Sequence, residues 1–338
     1  MGVLIQAESS NSQQVMTGGF CRPLVQEWWS WHHSIALISE RHAMYHGDTT
    51  VKDDFEWINL IKQGAFWGVH IACVMALWFG VSWVAVGVCF GLYVIRMFAI
   101  TGIYHRYFSH RSYETSRVVQ FLFAALGCTA AQKGPIWWAS HHRHHHRHSD
   151  TPEDIHSPIV QGIYFAHVGW VLSSQFIEPR LELVKDLLKF PELRLLEKYN
   201  LVPPILLAVG TFFLGVWLEH AYPQLGTNGM QMLTWGFFIS TVLLYHGTFC
   251  INSFTHLIGK RRFPSTDHSR NHWFLALITL GEGWHNNHHY YPGSERQGFY
   301  WWEIDVSHYI LKTLSLFGIV WNLRVPPPRV YAMAGKLE

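Results

Sequence analysis

The sequence predicts an all-α integral membrane protein, with four transmembrane helices in two hairpins and a cytoplasmic helical cap that holds a histidine-rich metal site. Only 14% of the 338 residues are charged, whereas soluble domains usually carry about 25%. Two long segments contain no charged residue, and the 24 histidines nearly equal the 25 lysines and arginines in number. This composition excludes a disordered chain and a strongly charged nucleic-acid binder, so no nucleic-acid partner is expected.

The first uncharged segment, Gln63 to Ile95, contains 33 residues. As one helix it would be about 50 Å long, against a hydrocarbon core of about 30 Å, so it must turn back within the membrane. The Gly-Val-Ser sequence at 80–82 is the expected corner, because these residues favour turns over helix. The sequence therefore predicts membrane spans at about 61–79 and 83–103.

The second uncharged segment, His220 to Gly259, contains 40 residues and follows an apolar stretch at 201–218. The residues between Glu219 and Gly229 include proline, glycine and asparagine, which favour a corner. The sequence therefore predicts a second hairpin, with spans at about 201–218 and 230–250.

Lysine and arginine set the expected orientation, because they are enriched in cytoplasmic segments. Neither corner contains one, and Arg96 is the only one of the 25 that lies inside a span once Lys62 is counted at the edge of the first. Both termini and all long segments are therefore expected in the cytoplasm. The expected parts are an N-terminal segment at 1–60, a membrane domain at 61–302 with its cap at 104–200 and 251–302, and a C-terminal helix and tail at 303–338.

Three histidine clusters lie in the predicted cap, and a lone histidine lies near the end of the fourth span. A His-x-x-His-His triplet places three imidazoles on one helical face, where they can converge on a metal. The two histidines of the first cluster are five residues apart, which suits a helix that ends between them. Nine ligands exceed what one ion can take, so two ions are expected. The candidates are His105 and His110, His142, His145 and His146, His285, His288 and His289, and His256 with nearby Asn252.

Spacing leaves two questions open. Six histidines lie within 141–148, so the middle triplet can begin at His141 or at His142. Imidazole suits iron, copper, zinc and nickel, so the ligand type does not identify the metal. One such triplet alone can be a surface feature, whereas three clusters on one side of the membrane favour metal binding.

The motifs that contain these clusters resemble those of the membrane-bound acyl-CoA desaturases, in particular the stearoyl-CoA and bacterial Δ9 group. The resemblance covers about 61–302, and the order of the motifs and their flanking residues agree. It rests on the segments Gly102 to Tyr113, Trp138 to His146, His167 to Trp170, and Gly281 to His289.

This resemblance implies that nine histidines bind two ferrous ions and that no catalytic side chain exists beyond this metal centre. It also implies that the middle triplet begins at His142. One iron would bind His105, His110, His142, His146 and His288. The other would bind His145, His256, His285 and His289, with Asn252 holding a water beside it.

The activity implied by the resemblance is O2-dependent insertion of a cis double bond, at the Δ9 position, into a saturated acyl chain. A bent apolar tunnel would present the chain to the irons, and Trp138, Phe249 and Arg96 are candidate tunnel residues. Arginine within a span costs about 2.5–3.5 kcal/mol on insertion scales, so Arg96 needs a partner or water. A structural ion pair and a tunnel role both remain open for it.

The implied partners are O2, the lipid bilayer, and an external electron donor, either a b-type cytochrome or a ferredoxin. Acyl-CoA is the first choice for the substrate. The chain has Ser140-His141 and Ser174-Gln175 where the animal enzymes carry Arg-Asp and Arg-Lys pairs, so an acyl carrier protein or a membrane glycerolipid is an alternative carrier. A hydroxylase or ketolase with a similar metal centre is the alternative activity, and a histidine-lined metal transporter is a more distant one.

Overall fold

The computed structural model describes residues 49–336, and most of the expected N-terminal segment at 1–60 lies outside this range. Helix α1 (Thr49–Ala72) continues through a 3-10 turn at Cys73–Met75 and a short helix at Ala76–Phe79. Gly80 follows with φ +70°, a conformation that favours glycine, and Ser82 accepts a hydrogen bond from the backbone of Ala85. The corner at 80–82 therefore lies where the sequence predicts it.

Helix α2 (Trp83–Phe98) continues without a break as a π-helix at Ala99–Ser109. The other α-helices of at least four residues are α3 (Arg117–Cys128), α4 (Pro135–His148), α5 (Pro191–Lys198), α6 (Val202–Ala221), α7 (Gly229–Phe254, with a π-helical stretch at Leu233–Ile239), α8 (Trp273–Ile278), α9 (His285–Tyr290), α10 (Val306–Leu316) and α11 (Pro328–Tyr331). Shorter turns include a π-helical one at Phe165–Gly169, which continues into Trp170–Leu172. Two-residue strands β1 (Glu114–Thr115) and β2 (Val320–Trp321) pair antiparallel, with Glu114 opposite Trp321.

Within the described residues, three helices are long and apolar enough to cross a membrane: Trp83–Ser109, Val202–Ala221 and Gly229–Phe254. They correspond to the second, third and fourth expected spans. The apolar helix at the place of the first span, Gln63–Phe79, is shorter, so that span stays a prediction.

The two corners of the expected hairpins lie side by side. The side-chain amide of Gln231 donates to the carbonyl of Phe79 at 2.8 Å, and the indole of Trp235 donates to the carbonyl of Gly80 at 3.0 Å. Helices α2 and α7 also pack against each other along their lengths. Their C-terminal ends therefore lie together at the opposite end of the bundle, where the histidine clusters follow.

The region that follows these C-terminal ends is built around α4. Helix α4 packs against the π-helical end of α2 and against α5, and α3 packs against the same two elements. Glu197 on α5 accepts hydrogen bonds from the backbone N–H groups of Ile136 and Trp137 at 2.9 and 3.1 Å. These N–H groups have no partner within α4, so the carboxylate fixes the start of the helix that carries the middle histidine triplet.

Arg96 is buried in α2 and bonds to uncharged groups. Its guanidinium donates to Thr241 Oγ1 at 2.8 Å, to Ser240 Oγ, and to the carbonyl of Thr129 at 3.4 Å. No carboxylate of the described residues lies within ion-pair distance of it, so its partners are hydroxyl and carbonyl groups that tie α2 to α7.

Candidate metal centre

The nine predicted histidines come together in two groups at the ends of α2 and α7. The donor atoms within each group lie within 4.8 Å of one another. The first group is His105, His110, His142, His146 and His288, and the second is His145, His256, His285 and His289. A third set, His145, Asp154 and His156, meets the same distance criterion but shares His145 with the second group.

The π-helix at the end of α2 explains the five-residue spacing of the first cluster. The backbone N–H of His110 donates to the carbonyl of His105 at 3.2 Å, and the two ring centroids are 4.9 Å apart. A turn closed by an i to i+5 hydrogen bond is wider than an α-helical turn, so residues five apart lie near one another. The helix ends between the two histidines, as expected, but the π-helical winding was not predicted.

The middle triplet converges from His142, His145 and His146 on α4. The alternative starting residue, His141, is buried on another face, where its Nδ1 contacts the carbonyl of Trp137 at 3.0 Å. His144 contacts the carbonyl of Glu153 at 2.8 Å. The helical repeat therefore directs the register that begins at His142 towards the two groups.

Four of the nine imidazoles carry a carboxylate on the Nδ1 atom that faces away from the groups. A carboxylate there fixes the proton on Nδ1, orients the ring, and leaves the Nε2 lone pair free to bind a cation. The pairs are His105 with Glu282, His145 with Asp154 at 2.8 Å, His256 with Asp150 at 2.9 Å, and His289 with Asp267.

These carboxylates are the functional residues that the sequence interpretation missed. Glu282 lies three residues before His285, and Asp150 and Asp154 follow the middle triplet within ten residues. In a chain with so few charged residues, acidic side chains beside histidine clusters are the signal that could have identified them. Asp267 lies in a loop far from any triplet in sequence, and no comparable signal marks it.

Burial sets the charge state of most of these rings. It lowers the pKa of His289 to about 4, although Asp267 opposes the shift. Burial alone would also lower the pKa of His145, but the carboxylates of Asp154, Asp267 and Asp150 together outweigh it and raise that pKa above 6.5. Burial, and then repulsion from neighbouring imidazoles, holds the pKa well below 6.5 for His110, His142, His146, His285 and His288.

The Nε2 atoms within each group lie close enough to one another to bind one shared metal ion. Nε2 of His105 lies 2.9 Å from Nε2 of His288, and Nε2 of His256 lies 3.1 Å from Nε2 of His285. Nε2 of His289 is buried without a hydrogen-bond partner. Where a carboxylate holds the proton on Nδ1, as for His105 and His256, Nε2 presents a lone pair, and a cation shared with the facing ring can bind both Nε2 atoms. The donor set therefore fits a transition metal in each group.

A cavity adjoins both groups. It is lined by rings of each group and by apolar and hydroxyl side chains of α2 and α7, including Met97, Ile100 and Thr248. Trp138 and Asn252 are among its lining residues. Arg96 and Phe249 are not: Arg96 bonds to α7 as described, and Phe249 stacks on Tyr245. An apolar space beside the two histidine groups can hold an apolar ligand in a fixed position close to them.

Comparisons with known proteins agree with this geometry. Residues 81–318 match the family model described as fatty acid desaturase. The chain is 38% identical, over 263 aligned residues, to the acyl-CoA C20 Δ5-desaturase of Anemone leveillei. The alignment covers 77% of this chain and 80% of the relative.

Two further relatives act on acyl lipids according to their names. The sn-1 stearoyl-lipid 9-desaturase of Anabaena variabilis is 35% identical over 82% of this chain and 97% of its own. The Δ9 acyl-lipid desaturase 2 of Arabidopsis thaliana is 35% identical over 81% of this chain and 86% of its own. With its paired histidine groups, its apolar cavity and these matches, the chain belongs to the fatty acid desaturase family.

Proposed function

We propose that this desaturase introduces a cis double bond at the Δ9 position of a saturated acyl chain, with acyl-CoA as the carrier and O2 as the oxidant. The observation that carries the proposal is the cavity, which joins an apolar wall at Met97 and Ile100 to imidazoles of both histidine groups. The Δ9 relatives among the comparisons support the position, and an acyl-CoA relative supports the carrier.

We propose that each histidine group binds one iron, with the nine histidines as ligands and Asn252 holding a water beside the second. When bound, the two irons supply the oxidising power that removes hydrogen from two neighbouring methylenes, which no side-chain base can do. The protein contributes orientation and exclusion of water. Apolar side chains of the cavity fix one stretch of the acyl chain, and Glu282 fixes the ring of His105 beside it.

The proposed topology has four spans, with α1 supplying the first, and places both termini and the metal centre in the cytoplasm. The absence of lysine and arginine from both corners supports this orientation. Two electrons per turnover would come from an external b-type cytochrome or ferredoxin.

A membrane glycerolipid is the second candidate carrier, and the burial of Ser140 and His141 favours it. Both side chains are fully buried and bond within the chain, Ser140 to the backbone N–H of Arg180 and His141 to Trp137. Ser174 and Gln175 are exposed but uncharged. None of the four supplies a positive charge for the phosphates of CoA.

The test is a fatty-acid analysis of membranes that contain the full chain, supplied with O2, a reductant system and either a saturated acyl-CoA or a saturated glycerolipid. We expect gas chromatography to detect a Δ9 alkene in the sample that received the saturated acyl-CoA. An alkene only from the glycerolipid supports the second carrier. A hydroxy acid without an alkene contradicts desaturation and favours a hydroxylase.

A further inference from the structure

His268 connects the protein surface to the second histidine group. Its side chain is 52% exposed, and its Nδ1 lies 3.3 Å from Asp150 Oδ2. The same oxygen contacts Nδ1 of His256 at 2.9 Å and accepts the backbone N–H of His268 at 2.8 Å. One carboxylate oxygen is therefore the only atom between an exposed imidazole and a member of the second group.

Two further contacts join this point to the same group. Asp267, the residue before His268, bonds to His289. The backbone N–H of Asp150 donates to Asp154 at 2.9 Å, and Asp154 bonds to His145. Three of the four histidines in the second group are thus bonded to the carboxylates of Asp150, Asp154 and Asp267, which are linked to His268 directly or through one backbone segment.

The loop that presents His268 is cationic. We call residues 257–271 the basic loop, and its two arms pair where Lys260 and Asn271 exchange backbone hydrogen bonds of 2.9 and 2.8 Å. It contains Lys260, Arg261, Arg262, Asp267 and Arg270 as charged residues.

One of the four cations is neutralised, because Arg262 pairs with Glu303. Asp267, the one acidic residue of the loop, is buried and bonds to the uncharged ring of His289. Lys260, Arg261 and Arg270 have no carboxylate of the described residues within ion-pair distance, and the guanidinium groups of Arg261 and Arg270 reach only backbone carbonyls of their own loop. Three cations without an ion-pair partner therefore lie in the same loop as the exposed His268, which gives the loop a net positive charge.

We propose that the basic loop is the docking surface for an acidic electron-carrier protein, and that electrons enter the second histidine group through His268, Asp150 and His256. Positive charge around the entry point would steer a negatively charged partner to this face and fix its register. The proposal rests on the desaturase function proposed above and specifies the partner of that site.

The electron balance defines what the partner must deliver. One turnover converts one saturated acyl chain, one O2, two protons and two electrons into one unsaturated chain and two waters. The substrate loses two hydrogen atoms and is oxidised, and O2 is reduced. Two carrier molecules, each oxidised by one electron, must therefore dock in succession, which requires a rapidly reversible, salt-sensitive contact rather than a permanent interface.

The docking test uses the full chain in detergent and, as probe, the soluble haem domain of an acidic b-type cytochrome. Lys260→Glu reverses one exposed charge whose side chain makes no hydrogen bond or ion pair within the described residues, so folding should be intact, and thermal unfolding checks this. We expect the Kd to rise about tenfold at low ionic strength. The difference should vanish in about 1 M salt, where the Debye length is about 3 Å.

Lys312→Glu is the matched control, because Lys312 is an exposed lysine on α10 outside the basic loop. Equal weakening by both variants, or unchanged affinity in Lys260→Glu and in the triple reversal with Arg261→Glu and Arg270→Glu, overturns the docking surface. Docking is also measured on metal-free protein, so the result of the docking test does not depend on whether the chain is an active desaturase.

The electron route through His268 is tested by a separate measurement. In His268→Ala the metal content should equal that of the wild type, whereas the rate at which bound, reduced cytochrome is reoxidised should fall about tenfold, since 1.4 kcal/mol in the barrier corresponds to this factor. An unchanged reoxidation rate overturns the route through His268.

Discussion

Nε2 of His105 lies 2.9 Å from Nε2 of His288, although 183 residues separate them in the chain. Glu282 holds the proton of His105 on the opposite nitrogen. Nδ1 of His288 is buried without a hydrogen-bond partner. Without metal, a proton on Nε2 of His288 is needed to make this contact favourable, whereas a cation binds both lone pairs, so metal should stabilise the folded protein.

Removal of metal should therefore lower the stability of the folded protein. A ligand that binds only the native state stabilises it by RT ln(1 + [L]/Kd), about 4 kcal/mol at a free concentration of 1,000 times Kd. Thermal unfolding with and without a chelator should show a lower Tm in the chelated sample, reversed by added iron. Superimposable unfolding curves, or elemental analysis that finds no metal in active protein, would count against a metal centre.

Replacement of His285 by alanine should abolish desaturation while the chain still inserts into membranes. His285 is fully buried, and its Nε2 faces that of His256 at 3.1 Å, so the substitution removes a donor from the second group. Product analysis of membranes matched for protein content measures the loss. His220→Ala is the control, because His220 is exposed on α6 and contacts only the carbonyl of Val216. Near-wild-type turnover in His285→Ala would contradict the ligand assignment.

Asp267→Asn should weaken metal binding by the second group. The carboxylate orients His289 and keeps the proton on its Nδ1, and loss of such a partner typically costs about 10- to 100-fold in metal affinity. Metal titration of the purified apoprotein measures the change. Glu192→Gln makes the same carboxylate-to-amide change in an exposed ion pair with Arg117 and should leave the affinity unaltered. Equal effects of the two variants would mean that Asp267 acts only through general stability.

The resemblance to the desaturases implied the register of the middle triplet and the division of the nine histidines into two groups. Uncharged segments and histidine spacing by themselves predict three of the spans and the three histidine clusters. They do so because hydrophobic length and helical periodicity are local properties of the chain. The π-helical segments at Ala99–Ser109 and Leu233–Ile239 could not be predicted, because hydrophobic periodicity does not distinguish i to i+4 from i to i+5 bonding.

The carboxylate partners of the histidines could not be predicted from the local sequence either. Asp267 reaches His289 across 22 residues and Glu282 reaches His105 across 177, so both contacts depend on how segments distant in sequence come together. The role of Arg96 was left open for the same reason, since its hydroxyl partners lie 144 and 145 residues away on α7.

Glu197 should make stability depend on pH. Burial raises its pKa from 4.5 to about 7, although the backbone N–H groups of Trp137 and Ile136 oppose the shift. Between these values the folded protein retains a proton that the unfolded chain has released, so the free energy of unfolding decreases as the pH rises through this window. In the Glu197→Gln variant the side chain at this position cannot titrate, so the free energy of unfolding lacks this pH-dependent decrease.

Thermal unfolding of both proteins between about pH 5 and pH 8 checks this difference. The Tm of the wild type minus that of Glu197→Gln should fall as the pH rises. A constant difference across the range would show that the carboxyl does not change its protonation on unfolding.

Gly247 should control the length of acyl chain that the cavity accepts. A Cβ atom at this position would lie 2.8 Å from Met97 Cε and 2.9 Å from Tyr93 Oη. Tyr93 is anchored by a 2.6 Å hydrogen bond to the carbonyl of Ile278, so the flexible Met97 must move, and Met97 lines the cavity. Gly247→Ala should therefore lower turnover of stearoyl relative to palmitoyl substrate by about tenfold, the scale of one methylene in an apolar pocket. Competition between the two substrates, analysed by gas chromatography, measures the ratio.

Gly210→Ala on α6 adds the same methyl group where nothing lies within 4 Å and should leave the ratio unchanged. If Gly247→Ala also leaves it unchanged, the acyl chain does not extend past Met97, and the apolar end of the cavity does not measure chain length.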